Sequence, residues 1–251
     1  MRPHLLISND DGVDSPFLPF FLRALSNFAD IDVVVPAQEQ SWIGRAYSRH
    51  KSLEINEANV GGFTVRSING TPSDCVNIAL AHICKNPDAV VSGINIGQNV
   101  GMPLLWSSGT FAAAAEGASW GFKAFAFSMR LERRYYDACR LRHKMPEDSE
   151  LAGGILAASK TSAEFIRGRL AQPCEFGMVY NVNFPEKYTS QTPLKECVPT
   201  RARGCGLYVE SGGKYNFKYA ISPINAENSA IPTDFACLES GFACYSAVSI
   251  L

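Results

Sequence analysis

The sequence predicts an α/β protein, one large domain built on a mainly parallel β-sheet with helices laid against it. Three observations carry this. The chain has 251 residues, enough for a single sizeable core. Residues 4–36 read as strand, helix, strand, a unit whose right-handed crossover makes the two strands parallel. The composition, 46% hydrophobic and 19% charged with a formal net charge of -1, suits a globular domain and argues against a polyanion or a membrane surface as the general partner. Any nucleotide it binds should be small.

The elements follow in order. His4 to Ser8 is a short apolar run entering the tight turn Asn9-Asp10-Asp11-Gly12, the pattern of a buried strand. Ser15 and Pro16 resemble an N-cap and first-turn proline ahead of an apolar stripe through Phe20, Phe21, Leu22 and Leu25, although Pro19 delays regular bonding. Ile31 to Val35, closed by Pro36, is the second strand. Leu53 to Glu57 and Phe63 to Ile68, split by Gly61-Gly62, predict an inserted β-hairpin at about 52–68. The next helix opens at Thr71-Pro72-Ser73-Asp74, a capping box, and runs to Ile83. Asp88 to Ser92 is a strand and Gly93 to Gly101 a glycine-rich loop. Ser108-Gly109-Thr110 opens a helix of small residues, with Thr110 read as its cap, and Lys123 to Met129 is a strand. Arg130 to Glu150 is charged and irregular; a helix from about Leu151 to Arg169, a strand at Met178 to Phe184, then hairpins and a closing strand near Ala243 to Ile250 complete the chain.

The apolar run after Met1-Arg2-Pro3 is too short for a secretory core or a membrane span, so a cytoplasmic protein is expected. Eight cysteines contain no C-x-x-C pair and read as reduced thiols, several of them core-filling. The four histidines, His4, His50, His82 and His143, fall outside every motif below.

Chain direction puts Asp10 with Asp11, Ser41, Asn95 and Asn99 at the C-terminal ends of parallel strands, the edge where open α/β sheets bind ligands. Adjacent carboxylates can meet one ligand only if the backbone turns sharply, which Gly12 permits. Two such charges about 4 Å apart repel by roughly 4 kcal/mol at an effective dielectric of 20, so a semi-buried pair calls for a cation between them. Oxygen donors alone suit magnesium, manganese or calcium. The plainer alternative is that Asp-Asp-Gly is a surface turn. The Ser108-Gly109-Thr110 helix start can hold a phosphate on free N–H groups. No G-x-x-x-x-G-K-[ST] or G-x-G-x-x-G is present.

Four stretches together resemble the survival protein E nucleotidases: Ser8-Asn9-Asp10-Asp11-Gly12, Gly70-Thr71-Pro72-Ser73-Asp74-Cys75-Val76, Ser92-Gly93-Ile94-Asn95-Ile96-Gly97-Gln98-Asn99, and Ser108-Gly109-Thr110 with Glu116-Gly117. They stand in the family order across about residues 4 to 129, with a weaker match at Thr233-Asp234. The resemblance implies a Rossmann-like three-layer αβα core over residues 1–185, with residues 186–251 a β-rich extension of the same domain used in oligomerisation. It implies a 5′-nucleotidase, a phosphomonoesterase that hydrolyses nucleoside monophosphates with one divalent metal cation per subunit (Mg2+, Mn2+ or similar). Its metal ligands would be Asp10, Asp11, Ser41 and Asn95; Asn9, Asn99, Ser108, Gly109 and Thr110 would bind substrate. Asp10, Asp11 and Asn99 are the expected catalytic residues.

The chain departs from the family at Gln40-Ser41, at Gly44-Arg45-Ala46-Tyr47-Ser48 and at Ser107, which bears on substrate range. A haloacid-dehalogenase-like phosphatase is the nearest rival, but Asn9 would stand in its nucleophile's place and an amide cannot form an acyl phosphate. A metal or nucleotide sensor without catalysis is the rival of another class. A homodimer or homotetramer is expected because the chain from about Tyr188 onward has hairpin signals without the apolar pattern of an independent core. Trp42, Tyr47 and Trp106 flank the site and could stack on a base.

Overall fold

The apolar runs do become strands, and their alternation decides which face each residue enters. A computed structural model describes residues 2–141, 143–145, 149–224 and 230–251. β1 (His4–Ser8), α1 (Leu18–Ser26) and β2 (Asp30–Pro36) form the expected βαβ unit, with β1 and β2 parallel and Leu5 level with Ile31. β3 (Ile55–Val60) and β4 (Phe63–Ile68) are the inserted hairpin; β4 adds to β2 in parallel and leaves β3 as the sheet edge. α2 (Pro72–Ile78) carries the capping box, in which the Thr71 hydroxyl accepts from the Asp74 N–H at 3.1 Å and Asp74 accepts from the Thr71 N–H at 2.9 Å. It passes into a π-helical turn, Ala79–Ile83.

β5 (Ala89–Ile96), α3 (Met102–Leu105), α4 (Gly109–Ser119), β6 (Lys123–Met129), α5 (Arg133–Leu141), α6 (Ser149–Leu170) and β7 (Met178–Phe184) follow. Beyond them lie β8 (Leu194–Glu196), β9 (Ala202–Arg203), β10 (Tyr208–Ser211), β11 (Lys214–Phe217), β12 (Ser222–Pro223), α7 (Asp234–Glu239) and β13 (Ala243–Ser249). The main sheet has nine strands in the order β3-β4-β2-β1-β5-β6-β7-β13-β8. β13 runs antiparallel to β7, and among the described residues β10 pairs only with β11, as a separate hairpin.

Alternation splits the core into two layers. Leu5, Ile7, Val33, Val35 and Phe127 face α1 and α6, whereas Leu6, Val34 and Val90 face α2 and α4. The small residues of α4 explain how close it lies: a Cβ on Gly117 would come within 2.5 Å of Val90. This is the three-layer αβα architecture expected.

Three local readings are corrected. α1 begins at Leu18, not after Ser15, because Pro19 fits only the first turn of a helix; the Ser15 carbonyl accepts from the Leu18 N–H at 3.2 Å instead. β5 does not stop at Ser92 but runs through Gly93 to Ile96, its pairing with β6 shifting between Ser92 and Asn95. Gly93 lies so close to β6 that a Cβ would meet the Phe127 carbonyl oxygen at 2.5 Å, so the glycine marks tight strand packing and not a loop. Within the stretch expected to be irregular, residues 133–141 form α5, anchored by buried Tyr135 and Cys139 four residues apart; residues 142 and 146–148 of that stretch lie outside the described residues.

Candidate active site

β1, β2, β5, β6 and β7 run parallel, so their C-terminal ends share one edge. Beyond β1 the chain turns at once. The Asn9 amide donates to the Gly12 carbonyl at 2.9 Å and its Oδ1 accepts from the Gly12 N–H at 3.1 Å, while Gly12 takes a φ of 85° that only glycine adopts at little cost. The turn brings Asp10 and Asp11 to the same place, each only 3% exposed. Asn9 is thus spent on the turn and does not line the cavity.

Each carboxylate is held from a different element. The Thr110 hydroxyl donates to Asp10 Oδ1 at 2.6 Å, and the Ile96 N–H donates to Asp11 Oδ2 at 2.8 Å. Asn99 supports the first contact, its amide donating to Thr110 Oγ1 at 3.2 Å and to Ser128 Oγ at 2.8 Å. The cap of α4 is Ser108, whose hydroxyl accepts from the Phe111 N–H at 3.1 Å, so Thr110 sits one turn-position inside and its hydroxyl is free for Asp10. Gly109 lets the helix approach; a Cβ there would lie 2.7 Å from the Asp10 Cβ.

From α5, which the sequence did not reveal, Arg140 donates to Asp11 Oδ1 at 3.4 Å and also to Ser41 Oγ and Glu39 Oε1. A cavity of about 620 Å³ opens onto this group, lined by Asp10, Ser41, Asn95, Asn99 and Ser108, by Arg130, Arg133, Tyr136 and Arg140, and by Trp42, Phe217 and Tyr219. Of the aromatics named from sequence, only Trp42 lines it; its ring lies 4.7 Å from Phe217 and 6.1 Å from Tyr219. Tyr47 is taken up by buried Glu116, which also accepts from Arg45, Asn77 and Trp120, and Trp106 packs on Phe111.

Burial pushes both carboxyls above the ordinary range, Asp11 further because the Asp10 carboxylate lies beside it, and the Arg140 charge pulls each partly back. The Arg140 guanidinium supplies positive charge beside Asp11 and Ser41, both of which offer oxygen. Asn95 donates its amide to the Gly97 carbonyl at 3.0 Å, which leaves its own carbonyl oxygen for a ligand. Asp10, Asp11, Ser41 and Asn95 therefore offer the type of donor that a hard divalent cation takes, with its remaining positions left to water or substrate. The raised carboxyls set a sign. They bind protons more tightly folded than unfolded, so their contribution to stability is complete below about pH 4 and is lost as pH rises into the neutral range. We expect the melting temperature of metal-free protein to fall over that interval, the fall to disappear when manganese is added, and to shrink to the Asp10 contribution when Asp11 is replaced by Asn; calorimetry across pH measures it.

A family model described as "Survival protein SurE" matches residues 5–204. A "5'-nucleotidase SurE" of Methanoculleus marisnigri is 42% identical over 132 residues, which cover 53% of this chain and 50% of that protein. The chain thus spans half the length of that relative. A "5'/3'-nucleotidase SurE" of Salmonella paratyphi B is 33% identical over 247 residues, covering 95% of this chain and 87% of the relative. In fold, the chain is similar to the SurE protein of Aquifex aeolicus, with a TM-score of 0.73 at 22% identity over 98% of this chain and 93% of that one.

Proposed function

This chain belongs to the survival protein SurE family, and on that footing we propose that it is a divalent-metal-dependent phosphomonoesterase releasing phosphate from nucleoside monophosphates. The observation that carries the reading is a pair of adjacent buried carboxylates, of which Asp10 lines the cavity beside the start of α4. Asp10, Asp11, Ser41 and Asn95 hold the cation, which when bound supplies electrophilic polarisation of a phosphoryl oxygen. The N–H groups at Gly109 and Thr110 receive the phosphate, with the positive end of the helix behind them. Asn99 fixes the Thr110 hydroxyl and Thr110 fixes one oxygen of Asp10, so the other oxygen of Asp10 is aimed and can take the proton of the attacking water. Arg130, Arg133 and Arg140 add positive charge on the side where the ester enters. Trp42, Phe217 and Tyr219 offer ring faces to a nucleobase.

The deciding experiment is turnover of p-nitrophenyl phosphate after exhaustive chelation and after manganese is returned. Activity should vanish and come back; full activity without metal overturns the reading. A purine monophosphate should also be cleaved with a higher kcat/KM than glucose phosphate, and equal values would remove the nucleobase from the proposal.

The proposal includes a homodimer or homotetramer. Supporting it, the β10–β11 hairpin stands outside the main sheet with Tyr208 63% and Tyr215 73% exposed, more aromatic surface than a lone hairpin keeps in water. Light scattering at micromolar concentration should give at least twice the 27.3 kDa chain mass; a monomer contradicts it. It also includes a cytoplasmic setting, supported by eight cysteines all present as free thiols. Among the described residues no helix is long and apolar enough to cross a membrane.

A further inference from the structure

At the other edge of the sheet, where the parallel strands begin, three side chains of metal-ligating type meet. His4 opens β1, Asp32 lies in β2, and Cys84 ends the π-helical turn that follows α2. The His4 Nε2 atom is 2.9 Å from Asp32 Oδ2 and 3.6 Å from the Cys84 sulfur, and the three ligand atoms all lie within 4.8 Å of one another. Ligand atoms around a tetrahedral zinc, with bonds of about 2.0–2.3 Å, sit roughly 3.3–3.8 Å apart. We propose that His4, Asp32 and Cys84 form a second metal site, selective for zinc and similar borderline ions, with a fourth position open to solvent.

The three donors are fixed before any ion arrives. The His4 N–H donates to Asp88 Oδ2 and the Asp88 N–H donates to the His4 carbonyl, both at 2.8 Å, which clamps the start of β1. Asp32 turns Oδ2 toward His4 because Arg66 donates to its other oxygen, Oδ1, at 3.1 Å. This is the outer-shell support that orients a carboxylate ligand. The Cys84 N–H bonds the Ala79 carbonyl at 2.8 Å and closes the π turn, a feature frequent at functional sites. Cys84 is buried, whereas the His4 and Asp32 side chains are 37% and 26% exposed, so an ion has a path in.

Charge and donor type select the ion. Burial and the Asp32 carboxylate push the Cys84 thiol up to about 12, so without a cation it keeps its proton. On binding, that proton passes to solvent, and one thiolate with one carboxylate balances a divalent charge while His4 donates a neutral nitrogen. Sulfur and imidazole favour zinc or cobalt over magnesium, the reverse of the oxygen set at Asp10 and Asp11. The two sites are also apart: β1 alone separates His4 from Ser8 by about 13 Å, and Asp10 lies beyond Ser8.

The test is a titration of the tag-free full chain with Co2+ in excess Mg2+, read by the near-ultraviolet absorption that only a cobalt–thiolate bond produces. One equivalent should develop that band. It should disappear in Cys84→Ser and need at least tenfold more cobalt in His4→Gln, yet persist in Cys237→Ser and Asp11→Asn. Zinc should raise the melting temperature of the unaltered protein and leave that of Cys84→Ser unmoved. Circular dichroism and magnesium-supported activity establish that Cys84→Ser is folded; should it fail to fold, Asp32→Asn takes its place and should need at least tenfold more cobalt for the band, an unchanged requirement overturning the proposal. No thiolate band in the unaltered protein, or one that survives in Cys84→Ser, overturns the proposal, and loss of the band in Asp11→Asn overturns the separateness of the two sites.

Discussion

Replacing Asp11 by Asn should leave a folded protein whose phosphatase activity has dropped by roughly three orders of magnitude. The reasoning is electrostatic. A full negative charge about 4 Å from a unit positive charge is worth roughly 4 kcal/mol at an effective dielectric of 20, and each 1.36 kcal/mol is about tenfold. The amide keeps the size of the carboxylate and can still accept from the Ile96 N–H, so the turn survives. Removing one of two buried like charges relieves the metal-free fold, and its melting temperature should rise. A variant that keeps activity within tenfold, or one that melts lower, contradicts the assignment. Mass spectrometry of enzyme quenched during turnover should show no phosphoryl group on the protein, since the Asn9 amide is not a nucleophile and its side chain is closed onto Gly12. A phosphoryl group on Asp10 or Asp11 would favour dehalogenase-like chemistry instead.

Gly109→Ala should be the next most damaging change, for a different reason. Gly109 takes no unusual dihedral; it is small because α4 touches the Asp10 turn, and a methyl group would sit 2.7 Å from the Asp10 Cβ and 3.0 Å from the Gln40 carbonyl oxygen. Helix and turn must then separate, and a displacement near 1 Å at a reacting centre costs on the order of a hundredfold in rate. Overpacking adds a stability loss of about 1–3 kcal/mol. Steady-state kinetics with a thermal melt read both; unchanged kcat/KM would show that the helix start has slack the contacts do not suggest.

Much of this architecture was legible in the sequence because its signals are local. The run His4 to Ser8 ending in Asn9-Asp10-Asp11-Gly12, the capping box at Thr71 and Asp74, and the Gly61-Gly62 hairpin each carry their chemistry within a few residues. What failed depended on distant neighbours. Gly93 looks like loop punctuation in one dimension, and only β6 pressing against it shows that it belongs to a strand. Arg140 and Tyr136 lie in a charged stretch whose apolar anchors, Tyr135 and Cys139, are too few to announce a helix. Thr110 read as a cap because nothing nearby revealed that Asp10, a hundred residues earlier, would take its hydroxyl. Phe217 and Tyr219 sit far along the chain in the least patterned segment, and only tertiary structure brings them to Trp42.

The separate hairpin has a consequence for how such a protein can change. The carboxylates, Asn95 and the start of α4 are tied into the nine-stranded sheet, where any shift propagates through many hydrogen bonds. Phe217, by contrast, belongs to β11, whose ladder runs only to β10. The part of the cavity wall that Phe217 forms is therefore modular, and the carboxylate frame is not. Substitutions or even length changes in this hairpin can drift through sequence space, or be grafted by design, altering which molecules fit the cavity while the carboxylate frame stays as it is.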